Sequence, residues 1–314
     1  MSASIKQAAD IIRSGGLVAF PTETVYGLGA NALDSLAAAK IFELKERPAF
    51  DPLIVHIADP EEINGLAVIR PGLAQNIKAL AAKFWPGPLT IVLPKKASVP
   101  DIVTAGLSTV GLRVPDNKIA LELIRQSGCP LAAPSANKFG RLSPTTAEHV
   151  RQQLPELECI LDGGSAKIGL ESTVIALPKD GFAILRQGAI TAEDLAKILP
   201  VSRQPVKNNG LASPGLLRSH YSPGKPLYLL GAEPPLDKSR TGCLVLQKAP
   251  AGFARTEALS PQGDLRAAAA NLFSALHRLE ADRAVEYIVA EPVPEEGIGL
   301  AIMDKLRKAS FRWK

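Results

Sequence analysis

Leu17-Val18-Ala19-Phe20-Pro21-Thr22-Glu23-Thr24-Val25-Tyr26-Gly27-Leu28-Gly29 is the stretch on which the reading of the fold turns. Four apolar residues make a short buried strand, and Pro21 stops it because proline has no N–H for a strand ladder. Phe20 to Gly29 then reads as a loop that leaves the strand and leads to a helix. Thr22 and Thr24 supply hydroxyls, and the glycines allow close backbone approach. A loop at a strand's carboxyl end is where open α/β sheets place ligands. The same residues also fit a plain polar turn. Gly27-Leu28-Gly29-Ala30-Asn31-Ala32 loosely matches a dinucleotide fingerprint. The loop separates it from the strand, however, and no acid ends a following strand near Phe50, so a nicotinamide site is rejected.

Upstream, Ile5, Ala8, Ala9 and Ile12 recur at helical spacing, and Gly15-Gly16 ends that helix. Downstream, Asp34 or Ser35 caps a helix carrying Leu36, Ala39 and Leu44. Strands are expected over residues 53–57, 89–93, 110–114 and 131–133, with helices over 73–84 and 119–127. A helix over 146–154 follows, then strands near 159–161, 172–177 and 183–185. Thr191 and Asp194 form a capping box for a helix ending near Leu199. The irregular alternation, with close strand pairs late, points to an α/β domain around a mixed sheet.

The character changes from Pro200 to Pro226, where Pro205, Asn208, Asn209, Gly210, Pro214, Gly215, Pro223 and Gly224 interrupt any periodicity. The division is therefore a first α/β domain over 1–200, a linker over 201–226 and a small α/β domain over 227–314. In the last, strands are expected at 227–230, 243–246 and 287–290, and helices at 263–281 and 298–308.

The 314 residues carry a formal charge of +5, with no concentrated basic run or basic–aromatic stripe to mark a nucleic-acid binder. Three cysteines, Cys129, Cys159 and Cys243, are too few and too scattered for a disulfide framework or metal-ligand spacing. No apolar run approaches a membrane span, and the first ten residues lack a signal core. A soluble, cytoplasmic protein with no membrane role is expected.

Chemistry-bearing residues gather at predicted element ends. Lys45 and Arg47, in Lys45-Glu46-Arg47-Pro48, either grip a polyanion or complement a helix terminus. His56 lies in an apolar strand, as a core histidine or as a ligand contact. Arg113 lies in another, and a buried guanidinium needs an anionic partner, either an internal acid or a substrate carboxylate. Ser135-Ala136-Asn137, Ser143-Pro144-Thr145, Ser172-Thr173 and Arg186 add hydroxyl, amide and cationic donors in turns and at strand ends. With no nucleophile–base pair among them, the set suits chemistry by positioning and charge stabilisation.

Taken together, these segments resemble the threonylcarbamoyl-AMP synthase family, with its YrdC-like domain, over about residues 5–199. The pair Lys45-x-Arg47-Pro48 and Ser135-x-Asn137 is its most specific signature. Ser213-Pro214-Gly215 and Arg218-Ser219-His220-Tyr221-Ser222-Pro223-Gly224 resemble the linker of the longer, two-domain branch. The resemblance implies a twisted mixed sheet with flanking helices and a smaller Rossmann-like C-terminal domain. It implies that L-threonine, bicarbonate (or CO2) and ATP yield threonylcarbamoyl-AMP and pyrophosphate, a nucleotidyl transfer. The product serves threonylcarbamoyladenosine modification of tRNA, through a separate downstream transferase complex. Thr24, His56, Arg113, Ala133 (by its backbone) and Ser172 would then surround L-threonine. Arg47, Asp51, Thr109, Ser135, Asn137, Ser143 and Arg186 would line the ATP site, with Lys45 and Arg47 catalytic and His220 and Tyr221 a lid. Mg2+ would accompany ATP, with no protein metal site assigned. Asp51 is repulsive beside ATP unless it holds Mg2+ or donates through its backbone. Weak RNA or tRNA contact fits the mild positive charge. A carbamoyl-adenylate enzyme and a non-catalytic RNA-binding module are the rival readings, the first lacking its usual zinc-finger cysteine pairs here.

Overall fold

The computed structural model describes residues 4–204, 220–231, 236–248 and 250–311. In chain order, the first part comprises α1 (Ile5–Arg13), β1 (Val18–Phe20), β2 (Gly27–Asn31), α2 (Ser35–Lys45), β3 (Ile54–His56), α3 (Ile63–Leu66), α4 (Pro71–Phe84), β4 (Leu89–Pro94), β5 (Thr109–Arg113), α5 (Lys118–Ser127), β6 (Leu131–Ala132), α6 (Ala147–Gln153), β7 (Thr173–Ala176), β8 (Ala183–Arg186) and α7 (Ala192–Ala196). Then come β9 (Leu227–Leu229), β10 (Thr241–Val245), β11 (Arg255–Ala258), α8 (Leu265–Ala281), β12 (Tyr287–Ala290) and α9 (Gly299–Ser310).

The first eight strands form one mixed sheet in the order β1-β2-β6-β3-β5-β4-β7-β8. Only β3/β5 and β4/β7 pair in parallel. The last four form a wholly parallel sheet, β11-β10-β12-β9. Both apolar cores are built from small and branched residues. Val55, Ile91, Leu112 and Ile175 fill the first, and Leu272, Phe273, Leu276 and Ile302 the second. The second core also receives Val25, Leu142 and Leu170 from the first part, so the two sheets share an apolar seam. Each such fully buried side chain contributes roughly 1.5–3 kcal/mol. At the seam Gly169, at φ +71°, lies against α8; a Cβ there would stand 2.7 Å from the Ala269 carbonyl oxygen.

Several sequence expectations change. Gly27–Asn31 is a strand, not loop, and pairs antiparallel with β1. A Cβ on Gly29 would meet the Phe20 ring at 2.7 Å, so this glycine makes room for an aromatic rather than for a ligand. The turn is confined to Pro21–Tyr26. In α2, capped by Asp34, Leu36 is 76% exposed, and the buried face is Ala37, Ala38, Ile41 and Lys45. Residues 159–161 make only a bridge, Ile160 to Ala19. The helix capped by Thr191 ends at Ala196, short of Leu199. β11, whose residues Arg255-Thr256-Glu257-Ala258 have no apolar alternation, was not expected at all. Of the linker, Pro205 to Ser219, including Ser213-Pro214-Gly215 and Arg218, lies outside the described residues. No helix among the described residues is long and apolar enough to cross a membrane.

Candidate active site

The turn after β1 builds one wall. Thr22 Oγ1 donates to the Val25 carbonyl (2.6 Å) and accepts from the Thr24 and Val25 amides (both 3.2 Å). With its proton spent on Val25, it accepts from the Thr24 hydroxyl at 2.7 Å. Thr24 Oγ1 in turn accepts from Arg113 Nη2 at 2.9 Å. Arg113 ends β5, donates from Nε to Gly87 O (3.3 Å) and pairs with Glu23 Oε1 (2.7 Å). The arginine's internal partner is therefore Glu23, a residue of the same turn.

His56 ends β3 in register with Arg113, its ring edge-on to Phe20. Burial first, and the Arg113 charge second, push its pKa down to about 3, so it is neutral at physiological pH. Its Nδ1 is buried and makes no hydrogen bond. A buried orphan of this kind in a cavity wall is a place for a ligand donor. With its pKa so low and no hydrogen-bonded acid to raise it, His56 is too weak a base to activate a nucleophile.

The facing wall comes from β7 and β8. Arg186, ending β8, donates to Ser172 O through Nε (3.1 Å) and Nη2 (3.0 Å), and to Ser172 Oγ (2.9 Å). Ser172 Oγ also bonds Thr90 Oγ1 at 2.8 Å. Arg47 enters from beyond α2. Glu46, in the left-handed region at φ 54°, turns the chain back so that Arg47 points inward. Its guanidinium donates to Asp51 O (3.0 Å) and Pro52 O (2.9 Å) and pairs with Asp51 Oδ2 (3.0 Å).

These groups line one cavity. Three arginines, Arg47, Arg113 and Arg186, share it with Thr24, His56, Ala133, Ser135, Ser172, His220 and Tyr221. Three cations, several hydroxyls, an orphan imidazole nitrogen and no activated nucleophile describe a site for an anionic substrate that brings its own nucleophile.

Two family models cover the chain: the Sua5/YciO/YrdC model, described as telomere recombination, over residues 10–188, and the threonylcarbamoyl-AMP synthase C-terminal domain over 190–310. A threonylcarbamoyl-AMP synthase of Pyrococcus abyssi is 43% identical across 98% of this chain and 94% of its own length. One of Bacillus subtilis is 41% identical across 98% and 92%. The chain belongs to the threonylcarbamoyl-AMP synthase family. The crystal structure of P. abyssi Sua5 complexed with L-threonine superposes with a TM-score of 0.86 at 42% identity, over 98% of this chain and 94% of that one.

Of the residues that the family resemblance singled out, Lys45, Asp51, Thr109, Asn137 and Ser143 do not line the cavity. Lys45 is 1% exposed and donates to Ser135 O (2.6 Å) and to Asn137 O. Its lysine thus ties the two halves of the family signature together. Burial, then the neighbouring Arg47, lower its pKa well below the usual lysine value. Asn137 caps the Lys138 and Arg141 carbonyls (2.8 and 3.0 Å). Asp51 holds Arg47, and Ser143 Oγ donates to Glu171 Oε1 (2.5 Å). Thr109 opens β5, four residues ahead of Arg113, opposite Pro94.

His220 lies between Phe139 and Tyr221, edge-on to both. Burial, then Arg47 and Lys45, hold its pKa well below the ordinary histidine value. Tyr221, at φ 59°, packs on Phe273 in the second core, and burial raises its phenol pKa well above normal. Both residues line the cavity and pack against the small domain, Tyr221 on Phe273 and the His220 amide toward the Lys308 carbonyl.

Two residues of the site have no role in the sequence reading: Glu23, the Arg113 partner, and Glu171, a cavity-lining acid. The rule that a buried arginine demands an acid could have found Glu23. Nothing in the sequence signals Glu171. As a cage for Mg2+ the site does not fit. Among the described residues no three His, Cys, Asp or Glu converge, and Glu23 and Asp51 are each paired with an arginine.

Proposed function

We propose that this protein is an L-threonylcarbamoyladenylate synthase, a nucleotidyltransferase that takes L-threonine, bicarbonate or CO2, and ATP. The observation that carries the reading is the cavity itself: three buried arginines converge on it, and no nucleophile–base pair lines it. Arg113 binds the threonine carboxylate, with Thr24, Ser172 and the orphan His56 Nδ1 around the rest of that substrate. Arg47 and Arg186, with Ser135, bind the triphosphate.

The threonine amine attacks CO2 and loses a proton to solvent, giving a carbamate. A carbamate oxygen then bonds the α-phosphorus as the bond to the bridging oxygen breaks, and its electron pair leaves with pyrophosphate. The attacking oxygen is already anionic, so the weak basicity of His56 is no handicap. Negative charge spreads over the phosphates in the transition state, where fixed guanidinium groups act most strongly. Charge-assisted hydrogen bonds contribute roughly 1.5–3 kcal/mol each, so the arginines are the main catalytic resource. Mg2+, carried by the phosphates of ATP, completes the proposed substrate, and no step above depends on a protein ligand to it. The adenylate is labile, and a downstream enzyme that transfers the threonylcarbamoyl group to tRNA is its proposed consumer. We place this chemistry in the cytoplasm.

Pyrophosphate release from ATP and bicarbonate tests the proposal, with L-threonine, with L-serine and with no amino acid. Strict threonine dependence, with the adenylate seen by mass spectrometry, is expected. Release indifferent to the amino acid would overturn the substrate assignment, and none at all in folded protein would overturn the reaction.

A further inference from the structure

The small domain places one charge at the cavity wall. Lys305, on α9, is 1% exposed. Its ammonium donates to Gln187 O (2.8 Å) and Asp304 Oδ2 (3.1 Å), sits 5.3 Å above the Tyr221 ring and lies 4.0 Å from Glu171 Oε2. Glu171 belongs to the other domain, is 6% exposed and lines the cavity. Its Oε1 accepts from Ser143, while its Oε2 has no hydrogen-bond partner.

A buried carboxylate beside a triphosphate site is a liability. Like charges a few ångströms apart repel strongly where water is excluded. Among the described residues, no cation of the catalytic domain ion-pairs with Glu171. Arg47 is committed to Asp51 and Arg113 to Glu23, and Arg186 directs Nε and Nη2 to Ser172. Lys305 is the one cation that ion-pairs with Glu171 among the described residues. Asp304, its neighbour, is already served by Lys308 at 2.7 Å.

We infer that Lys305 is a positioning residue of the nucleotide site: it offsets the Glu171 carboxylate, so that this acid orients Ser143 without repelling the phosphates of ATP. The small domain thereby completes the electrostatics of a site lined mostly by the catalytic domain. The inference rests on the synthase reading for the identity of the nucleotide.

The test uses the full chain in four forms: unaltered, Lys305→Met, Glu171→Gln, and both together. Two readouts are taken, KM for ATP and for L-threonine from pyrophosphate release, and Kd for a non-hydrolysable ATP analogue. Lys305→Met is expected to raise KM and Kd for the nucleotide about tenfold, and to leave KM for threonine within about twofold. Glu171→Gln, which keeps an acceptor for Ser143, is expected to restore nucleotide affinity in the Lys305→Met chain. Replacing both members of a buried pair is usually well tolerated, so the double variant decides the matter even where Lys305→Met folds poorly. Unchanged nucleotide affinity in Lys305→Met overturns the inference, as does a double variant that binds the analogue no better than Lys305→Met. An unaltered chain that binds the analogue but releases no pyrophosphate with threonine defeats the synthase reading instead.

Discussion

The two sheets treat buried charge in opposite ways. Around the mixed sheet, Arg47, Arg113, Arg186, Glu23, Asp51 and Glu171 are all buried, and four of these six line a single cavity. Around the parallel sheet the buried ionisable side chains are fewer, and the two closest to the seam face the other domain. Lys305 approaches Glu171, while His277 Nε2 bonds Ser143 O (3.1 Å) and its ring stacks on His149 at 3.8 Å. In one region charge is arranged for a ligand; in the other it is arranged for a neighbour. A small domain can shape a reaction through what it presents at its edge.

The sharpest way to break this comparison is to remove a ligand-facing charge. Arg47→Ala should cut adenylate formation by about 10²–10³-fold. It also strands Asp51, at a cost of roughly 3–5 kcal/mol in stability. Adding Asp51→Asn should recover most of the thermal stability and none of the activity. A double variant that regained pyrophosphate release would move Arg47 from catalysis to scaffolding.

A middle-sized effect is expected from removing the neighbour altogether. A chain ending at Gln204 keeps the Phe182–Val201 bridge and the Ser202–Asp180 bond. It loses His220, Tyr221 and Lys305 and exposes Val25, Leu142 and Leu170. Turnover should fall roughly tenfold or more, with KM for ATP affected more than KM for threonine. Full activity in that chain would show the second domain to be a passenger.

The smallest effect concerns pH. Burial pushes the pKa of His149 down to about 4 and, with help from His149, that of His277 to about 3. In the unfolded chain both return to near 6.5 and bind protons more readily there. The stability of the neutral pair is therefore complete above about pH 6.5 and is lost as pH falls toward 4. Thermal unfolding at about pH 5 should occur a few degrees lower than at pH 7.5, and His149→Phe should flatten that difference. A profile unchanged by the substitution would show the pair to be of no consequence to the seam.

The sequence made most of this fold legible where local signals agree. Asp34, Asn117 and Asp264 cap helices as their side chains suggest, and the apolar runs at 54–57, 89–93 and 287–290 lie in or beside strands. It misled where a glycine serves a ring, as at Gly29 against Phe20, and where a lysine is buried, as at Lys45. Hydropathy reads lysine as surface, yet two well-placed carbonyls hold this one inside. β11 escaped notice because a polar edge strand has no pattern to find. In the site, Arg113 was legible from its apolar strand, and Arg47 and Arg186 from the ends of expected elements. Which acid a buried cation meets was not legible, because a pairing between residues 23 and 113, or 171 and 305, exists only after folding.

Gly169 gives the seam a mechanical meaning. It sits two residues ahead of Glu171, and its missing side chain is the clearance that lets the backbone of α8 come down onto the catalytic domain. At this point main chain meets main chain, within a seam otherwise filled by apolar side chains. A gap of 4.0 Å between Lys305 and Glu171 is the kind of tolerance such a seat can hold, and a single methyl group under α8 would be enough to put it out of true.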